Sequence, residues 1–157
     1  MRNLLLASAA ALAALTATPA LAQQVTPYVQ VDTGITDTNY NSTHVVYGAT
    51  LGADADLGSR VTLGADVNAS NVFDNRGRTF GAGARLGYRI IPGTLGYVRA
   101  GYANLDAGHE NLGGLALGGG LNFDVLPHTY VNVEYRHTNY EQGVHSNAGL
   151  LGLGIRF

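Results

Sequence analysis

The chain contains no cysteine, no lysine and no tryptophan, and a single methionine. Without cysteine there is no disulfide framework, so an exported domain of this size must be closed by other means. Without lysine there is no G-K-[ST] phosphate loop. A formal net charge of −2 leaves no basic surface of the kind nucleic acid requires. After residue 22 no apolar run approaches the length of a transmembrane helix. The histidines, His44, His109, His128, His137 and His145, are scattered and form no H-E-x-x-H or other paired ligand spacing. Neither a metal nor a cofactor is expected.

Glycine, by contrast, is abundant, with 22 residues and no collagen-like period of three. It recurs at alternating positions, as in Gly81/Gly83/Gly87, Gly118/Gly120 and Gly152/Gly154. Alternation of this kind leaves one face of a strand without bulk. The first 22 residues have a different character: Arg2, an Ala-rich apolar run over 4–15, and Ala20-Leu21-Ala22. That order reads as a secretory leader, residues 1–22, cut before Gln23, with residues 23–157 forming one domain.

The period of two runs through the whole of that domain. Counting back from the end, Phe157, Ile155, Leu153 and Leu151 share one strand face, while Arg156, Gly154 and Gly152 share the other. Eight such segments are predicted: 28–36, about 45–57, 61–70, 79–90, 95–104, 113–125, 129–138 and 147–157. Between them lie polar stretches at 37–43, 71–78, 105–112 and 139–146, alternating with short turns at 57–59, 91–94 and 126–128. The motif T-L-G-A-D occurs at Thr50 to Asp54 and again at Thr62 to Asp66, giving the two arms of one hairpin the same alternation. An even strand number with long and short connections alternating is the pattern of an outer-membrane barrel with both termini on the periplasmic side. The expected fold class is therefore all-β: an eight-stranded antiparallel up-and-down transmembrane barrel.

Alternation alone does not say which face looks inward, because soluble barrels alternate too. Bulk decides it. The apolar face is continuous and large, whereas the other mixes glycine with charge, and glycine inside makes room for arginine in a narrow bore. The lipid-facing aromatics then fall into two belts: Tyr47, Phe80, Tyr102 and Tyr135 toward the external end, and Tyr88, Phe123 and Phe157 toward the periplasmic end.

The inward charges are six acids, Asp32, Asp54, Asp56, Asp66, Asp124 and Glu134, against five bases, Arg85, Arg89, Arg99, Arg136 and Arg156. Near balance suits a closed interior, since an unpaired buried charge is costly. By distance along each strand, Asp32, Asp66, Arg85, Arg99, Glu134 and Arg136 are expected in a middle layer. Asp54, Asp56, Arg89, Asp124 and Arg156 are expected nearer the periplasmic mouth. Each inward acid has an arginine available, and the network is read as a plug. A gated narrow channel is the alternative.

With this pattern in place, the chain resembles the small outer-membrane barrel superfamily that includes the opacity proteins, OmpX-like proteins and the OmpA transmembrane domain. The resemblance covers residues 23–157 and rests on the leader, the eight-strand pattern, Val131-Asn132-Val133-Glu134-Tyr135-Arg136 and the ending G-L-G-I-R-F. It implies residence in the bacterial outer membrane after Sec-type export, among outer-membrane lipid and lipopolysaccharide, as a monomer. It also implies that Phe157, Ile155 and Leu153 carry the signal read by the barrel-assembly machinery. The chain stops at Phe157, so a peptidoglycan-binding domain like that of full OmpA is not expected. Loops of about eight to ten residues are short for an adhesin.

Enzymatic chemistry is the remaining class. Val144-His145-Ser146-Asn147 is similar to the H-x-S-N run of lipid A 3-O-deacylases, but here His145 and Ser146 are adjacent. Neighbouring strand residues point to opposite faces, which is wrong for a base touching its nucleophile, and no acid follows Ser146. A structural or surface-interaction role without turnover is expected.

Overall fold

The computed structural model describes residues 25–39, 41–73, 77–106 and 111–157. The predicted leader, residues 1–22, lies outside them. Eight strands follow one another: β1 (Val25–Thr38), β2 (Asn41–Asp56), β3 (Val61–Val72), β4 (Arg78–Ile91), β5 (Thr94–Asp106), β6 (Asn111–Leu126), β7 (Thr129–Tyr140) and β8 (His145–Arg156). Each pairs antiparallel with its neighbours in sequence, and β8 pairs with β1, so the sheet closes into a barrel with no free edge. This is the expected fold.

The register fixes the barrel's geometry. Starting at Tyr28 and stepping across the ladder, the row passes Gly52, Asp66, Gly83, Gly101, Ala116, Thr138 and Ser146. It returns to β1 at Thr38, ten residues from its start. A stagger of that size around eight strands, with a rise of about 3.3 Å and a strand spacing of about 4.8 Å, tilts the strands by about 40° and puts the backbone about 8 Å from the axis. A twelve-residue strand at that tilt rises about 30 Å, enough to cross the hydrocarbon core.

The alternation resolves as apolar outward. Val29, Val31 and Ile35 of β1 are exposed, whereas Tyr28 and Gln30 are buried; on β8 Leu151, Leu153 and Ile155 are exposed and Leu150 is buried. Tyr47, Phe80, Tyr102, Tyr135, Tyr88, Phe123 and Phe157 all point out of the barrel. The hydroxyls of Tyr47 and Tyr88 accept hydrogen bonds from Asn71 (3.3 Å) and Arg60 (3.4 Å), and that of Tyr135 donates to Asn147 Oδ1 (2.8 Å). An apolar ring with a wet tip suits the membrane–water boundary.

The connections depart from expectation. The supposed long loops are short: residues 39–40, 73–77, 107–110 and 141–144, against 57–60, 92–93 and 127–128 at the other end. The strands continue through stretches whose polarity suggested loop, with Thr38 paired to Ser146 and Asp106 to Asn111. Backbone groups pair whatever their side chains, and only the lipid-crossing part of a strand needs an apolar outer face. Polar composition here marks the strand leaving the apolar band, not the strand ending.

Val25 and Phe157 lie at one end of the barrel, called the terminal end below; the opposite end is the loop end. Two turns at the terminal end are alike, Pro92-Gly93 and Pro127-His128, and in both the residue after proline has positive φ, 77° at Gly93 and 69° at His128. That conformation costs a residue with a Cβ about 1–2 kcal/mol. His128→Gly is expected to raise stability by about 0.5–1 kcal/mol, seen as a higher urea midpoint for the folded barrel; an unchanged or lower midpoint would contradict it.

Candidate functional site in the barrel interior

The interior is organised by arginines lying across the bore. Arg85 on β4 clasps Asp54 on β2, with Nε 2.7 Å from Oδ1 and Nη2 on Oδ2. Arg99 on β5 clasps Asp66 on β3, with Nε 3.0 Å from both carboxylate oxygens and Nη2 on Oδ1. Arg89 on β4 reaches Asp56 on β2 at 3.0 Å, and Arg156 on β8 reaches Asp124 on β6. All four pairs skip one strand. Adjacent inward residues on neighbouring strands are too close for a long arginine to extend, so it reaches over the intervening strand.

Where the two buried arginines cross, the intervening residue is glycine. A Cβ on Gly64, between Asp54 and Arg85, would overlap Asp54 Oδ1 and sit 2.8 Å from Arg85 Cγ. One on Gly83, between Asp66 and Arg99, would sit 2.8 Å from Arg99 Cζ. The doubled T-L-G-A-D motif supplies the acids: in register, Asp54 faces Gly64 and Asp66 faces Gly52.

Arg85 and Asp54 are both buried, as are Arg99 and Asp66. Asp54 nevertheless lines the terminal-end basin with Asp56, Arg89, Asp124 and Arg156, as distance along the strand suggests, and through Arg85 it ties that layer to the middle one. The fifth pair is local, Arg136 Nη2 to Glu134 Oε1 at 2.6 Å, two residues apart on β7.

Those five pairs consume every inward arginine and leave one acid over. Asp32 accepts from Gln30 Nε2 (2.5 Å) and Thr50 Oγ1 (2.9 Å) and has no arginine partner among the described residues. The expectation of an arginine for each inward acid fails at this position, because Arg136, which faces the same space, turns to Glu134 on its own strand.

Uncharged groups that composition did not single out fill the rest of the section. Tyr28, Tyr97, Tyr130, Asn122 and Asn132 are all buried. Arg85 lies over the Tyr28 ring at 4.2 Å and Arg156 over Tyr130 at 4.3 Å, with the two rings edge to face at 6.3 Å. Such cation–ring contacts contribute about 1–2 kcal/mol when desolvated. Asn132 donates to Asn122 Oδ1 (2.7 Å) and Tyr97 Oη (2.8 Å), and Tyr97 donates to Glu134 Oε2 (2.6 Å). The signal for these residues was their inward position in the alternation; their size argued against it, because the inner face was expected to be small or charged.

Two cavities flank this section. At the terminal end an open basin of about 790 Å³ is lined by Asp54, Asp56, Arg89, Asp124, Arg156 and the neighbouring turns. Toward the loop end a chamber of about 120 Å³ is lined by Asp32, Arg99 and Arg136, by hydroxyl and amide side chains such as Thr50, Asn68 and Thr138, and by apolar ones including Val46, Ala103, Ala116, Tyr140, Val144 and Leu150. The two share no lining residue. The apolar lining comes from inward residues above the charged section, where Ala103, Ala116 and Tyr140 pack with Leu105, Leu112 and Val144.

His145 and Ser146 point to opposite sides of β8. Ser146 Oγ meets Thr36 Oγ1 at 2.9 Å, while the His145 ring stacks against His137 with centroids 6.1 Å apart. The two side chains do not form a nucleophile–base pair.

The family model described as "Outer membrane protein beta-barrel domain" matches residues 7–157. No curated protein matches the chain. Among solved structures, the barrel is similar to Neisserial surface protein A (14% identity, 85% of this chain and 97% of that one, TM-score 0.59). It is also similar to the N-terminal β-barrel domain of Pseudomonas aeruginosa OprF (17% identity, 85% and 100%, TM-score 0.59). A third likeness is to Ail, the attachment invasion locus protein of Yersinia pestis (14% identity, 85% and 97%, TM-score 0.57). At these identities the likeness concerns the fold. With a closed eight-stranded barrel, an apolar outer face and a family match over nearly its whole length, the chain belongs to the outer-membrane β-barrel protein family.

Proposed function

We propose that this outer-membrane barrel has a structural role in the membrane, with its bore closed by the charged and aromatic section and with no catalytic turnover. The supporting observation is that buried Arg85–Asp54 and Arg99–Asp66, with Tyr28, Tyr97 and Tyr130, occupy the section between two cavities that share no wall. Eight strands enclose a bore only just wide enough for side chains to fill. Purified, folded barrel in planar bilayers is expected to give no discrete conductance steps. Reproducible steps altered by Glu134→Ala or Arg136→Ala would instead support a narrow channel.

In this reading the chain is exported by its leader, residues 1–22, and inserted as a monomer among outer-membrane lipid and lipopolysaccharide. The loop end faces outward and the basin faces the periplasm. The connections at the loop end span only two to five residues between strands, which favours a structural role over capture of a large partner. A complex of Ail with the heparin analogue sucrose octasulfate is known. That ligand is not carried over, because the described loop-end residues set Arg78 against Asp37, Asp106 and Glu141.

Phe157, with Ile155 and Leu153, serves the assembly machinery. Phe157 extends past β8, is 72% exposed, and makes one backbone bond, N to Pro27 O at 2.9 Å. Deleting it removes little of the folded barrel's packing. The deletion is expected to lower the amount of folded protein in the outer membrane several-fold while shifting the urea midpoint of refolded protein only slightly. Normal insertion of the deleted form would refute the assembly role.

A further inference from the structure

The residue left over from the ion-pair network points to a ligand. Asp32 lies beside the loop-end chamber and is the one inward acid without an arginine among the described residues. An ionised carboxylate has about four lone-pair sites. Gln30 and Thr50 each donate one hydrogen bond to it, which leaves acceptor capacity unused. Its neighbours across the ladder on both sides are glycines, Gly48 on β2 and Gly152 on β8, so no side chain from either position covers it. The other charged groups facing the chamber are spoken for: Arg99 by Asp66 and Asn68, and Arg136 by Glu134.

The chamber therefore has one carboxylate outside any ion pair among the described residues, and a lining that mixes threonine, serine and asparagine with apolar side chains. Val46, Ala116, Tyr140, Ala148 and Leu150 line it, and its volume is about 120 Å³. An apolar cavity of about 150 Å³ in another protein holds one benzene ring, so about five or six non-hydrogen atoms fit here. From the charge, the spare acceptor capacity of the half-buried Asp32 carboxylate and the apolar part of the lining together, we infer that the chamber is a binding site for a small primary alkylammonium ion. Its ammonium group hydrogen-bonds to Asp32, and its alkyl chain lies against Val46, Ala116 and Leu150. A bare inorganic cation would leave the apolar part of the lining, Val46, Ala116 and Leu150, without a partner. An anion is disfavoured by the net charge.

The test uses n-butylammonium chloride as the probe, with folded full-length barrel in a zwitterionic detergent at pH 7 and constant ionic strength, read by amide chemical shifts. The wild type is expected to show saturable shifts at Gln30, Thr50 and Leu150. Asp32→Asn is expected to weaken binding at least tenfold while retaining heat-modifiable migration, and n-butanol, of the same shape without the charge, to bind at least tenfold more weakly. Ala116→Leu fills the chamber without touching Asp32 and is expected to abolish the shifts; it decides the matter if Asp32→Asn does not fold. The assignment is overturned if Asp32→Asn binds as the wild type does, if n-butanol binds equally well, if sodium produces the same shifts at the same concentration, or if no saturable shift appears.

Discussion

Replacing Asp54 by Ala is expected to destabilise the barrel by about 3–5 kcal/mol, because it leaves the Arg85 guanidinium charged, buried and unpaired. Arg85 is held in the interior: its side chain is 5% exposed, with the Tyr28 ring at 4.2 Å and the Tyr97 ring at 5.3 Å. Equilibrium urea unfolding of refolded protein in lipid vesicles measures the loss. The pair need not be what makes the barrel stable. Removing both charges together, as in Asp54→Leu with Arg85→Met, is expected to recover most of the loss, because neither desolvation penalty then has to be met. A single substitution costing under about 1 kcal/mol, the range of an exposed pair, would mean that the Arg85–Asp54 contact is solvated. The exposed Arg89–Asp56 pair at the terminal end supplies the contrast, and Asp56→Ala is expected to fall in that lower range.

Gly64→Val is expected to have an effect as large by a different route. The new side chain would stand in the lane through which Arg85 reaches Asp54, against Asp54 Oδ1 and Arg85 Cγ. Overpacking alone costs about 1–3 kcal/mol, and separating the pair adds the desolvation loss. Little folded species is expected on heat-modifiable gel migration. Gly149→Val is the matched control: it sits on the outer face of β8, with nothing within 4 Å of an added Cβ. There valine adds apolar surface toward lipid, and stability is expected to hold or rise. If both variants fold alike, the interior lanes are not tight and the account of inward glycine is wrong.

Period-two alternation carried most of the fold in readable form. Outward Leu151, Leu153 and Ile155 and inward Gly152, Gly154 and Arg156 are assigned by counting alone, and the structure places them so. What the alternation does not carry is pairing. The partner of Arg85 depends on the register of β2, β3 and β4, which sets Asp54 opposite Gly64 and Gly64 opposite Arg85, so a residue expected in the middle layer meets one expected at the mouth. Loop length is not carried by composition either. Residues 37–38 and 145–147 are polar because they leave the apolar band, but their backbones still pair. The unpaired acid was present in the count of six against five, but only geometry identifies it as Asp32. The large inward side chains Tyr28, Tyr97 and Tyr130 were visible in position and unexpected in size.

The skip-one-strand habit of the arginines also divides the molecule. Every ion pair described lies either within β2–β5 or within β6–β8; none joins the two groups. Across that seam run the Tyr97 hydroxyl, bonded to Glu134 and Asn132, and the Gln30 amide, 3.4 Å from Asn132. A chain cut between Asp106 and Asn111 would thus yield a five-stranded and a three-stranded fragment, each keeping its own ion pairs intact. The uncharged tyrosine and glutamine would be left to recognise the other half. No ion pair has to be broken to separate the two pieces, and that is the place at which to divide the barrel for fragment complementation.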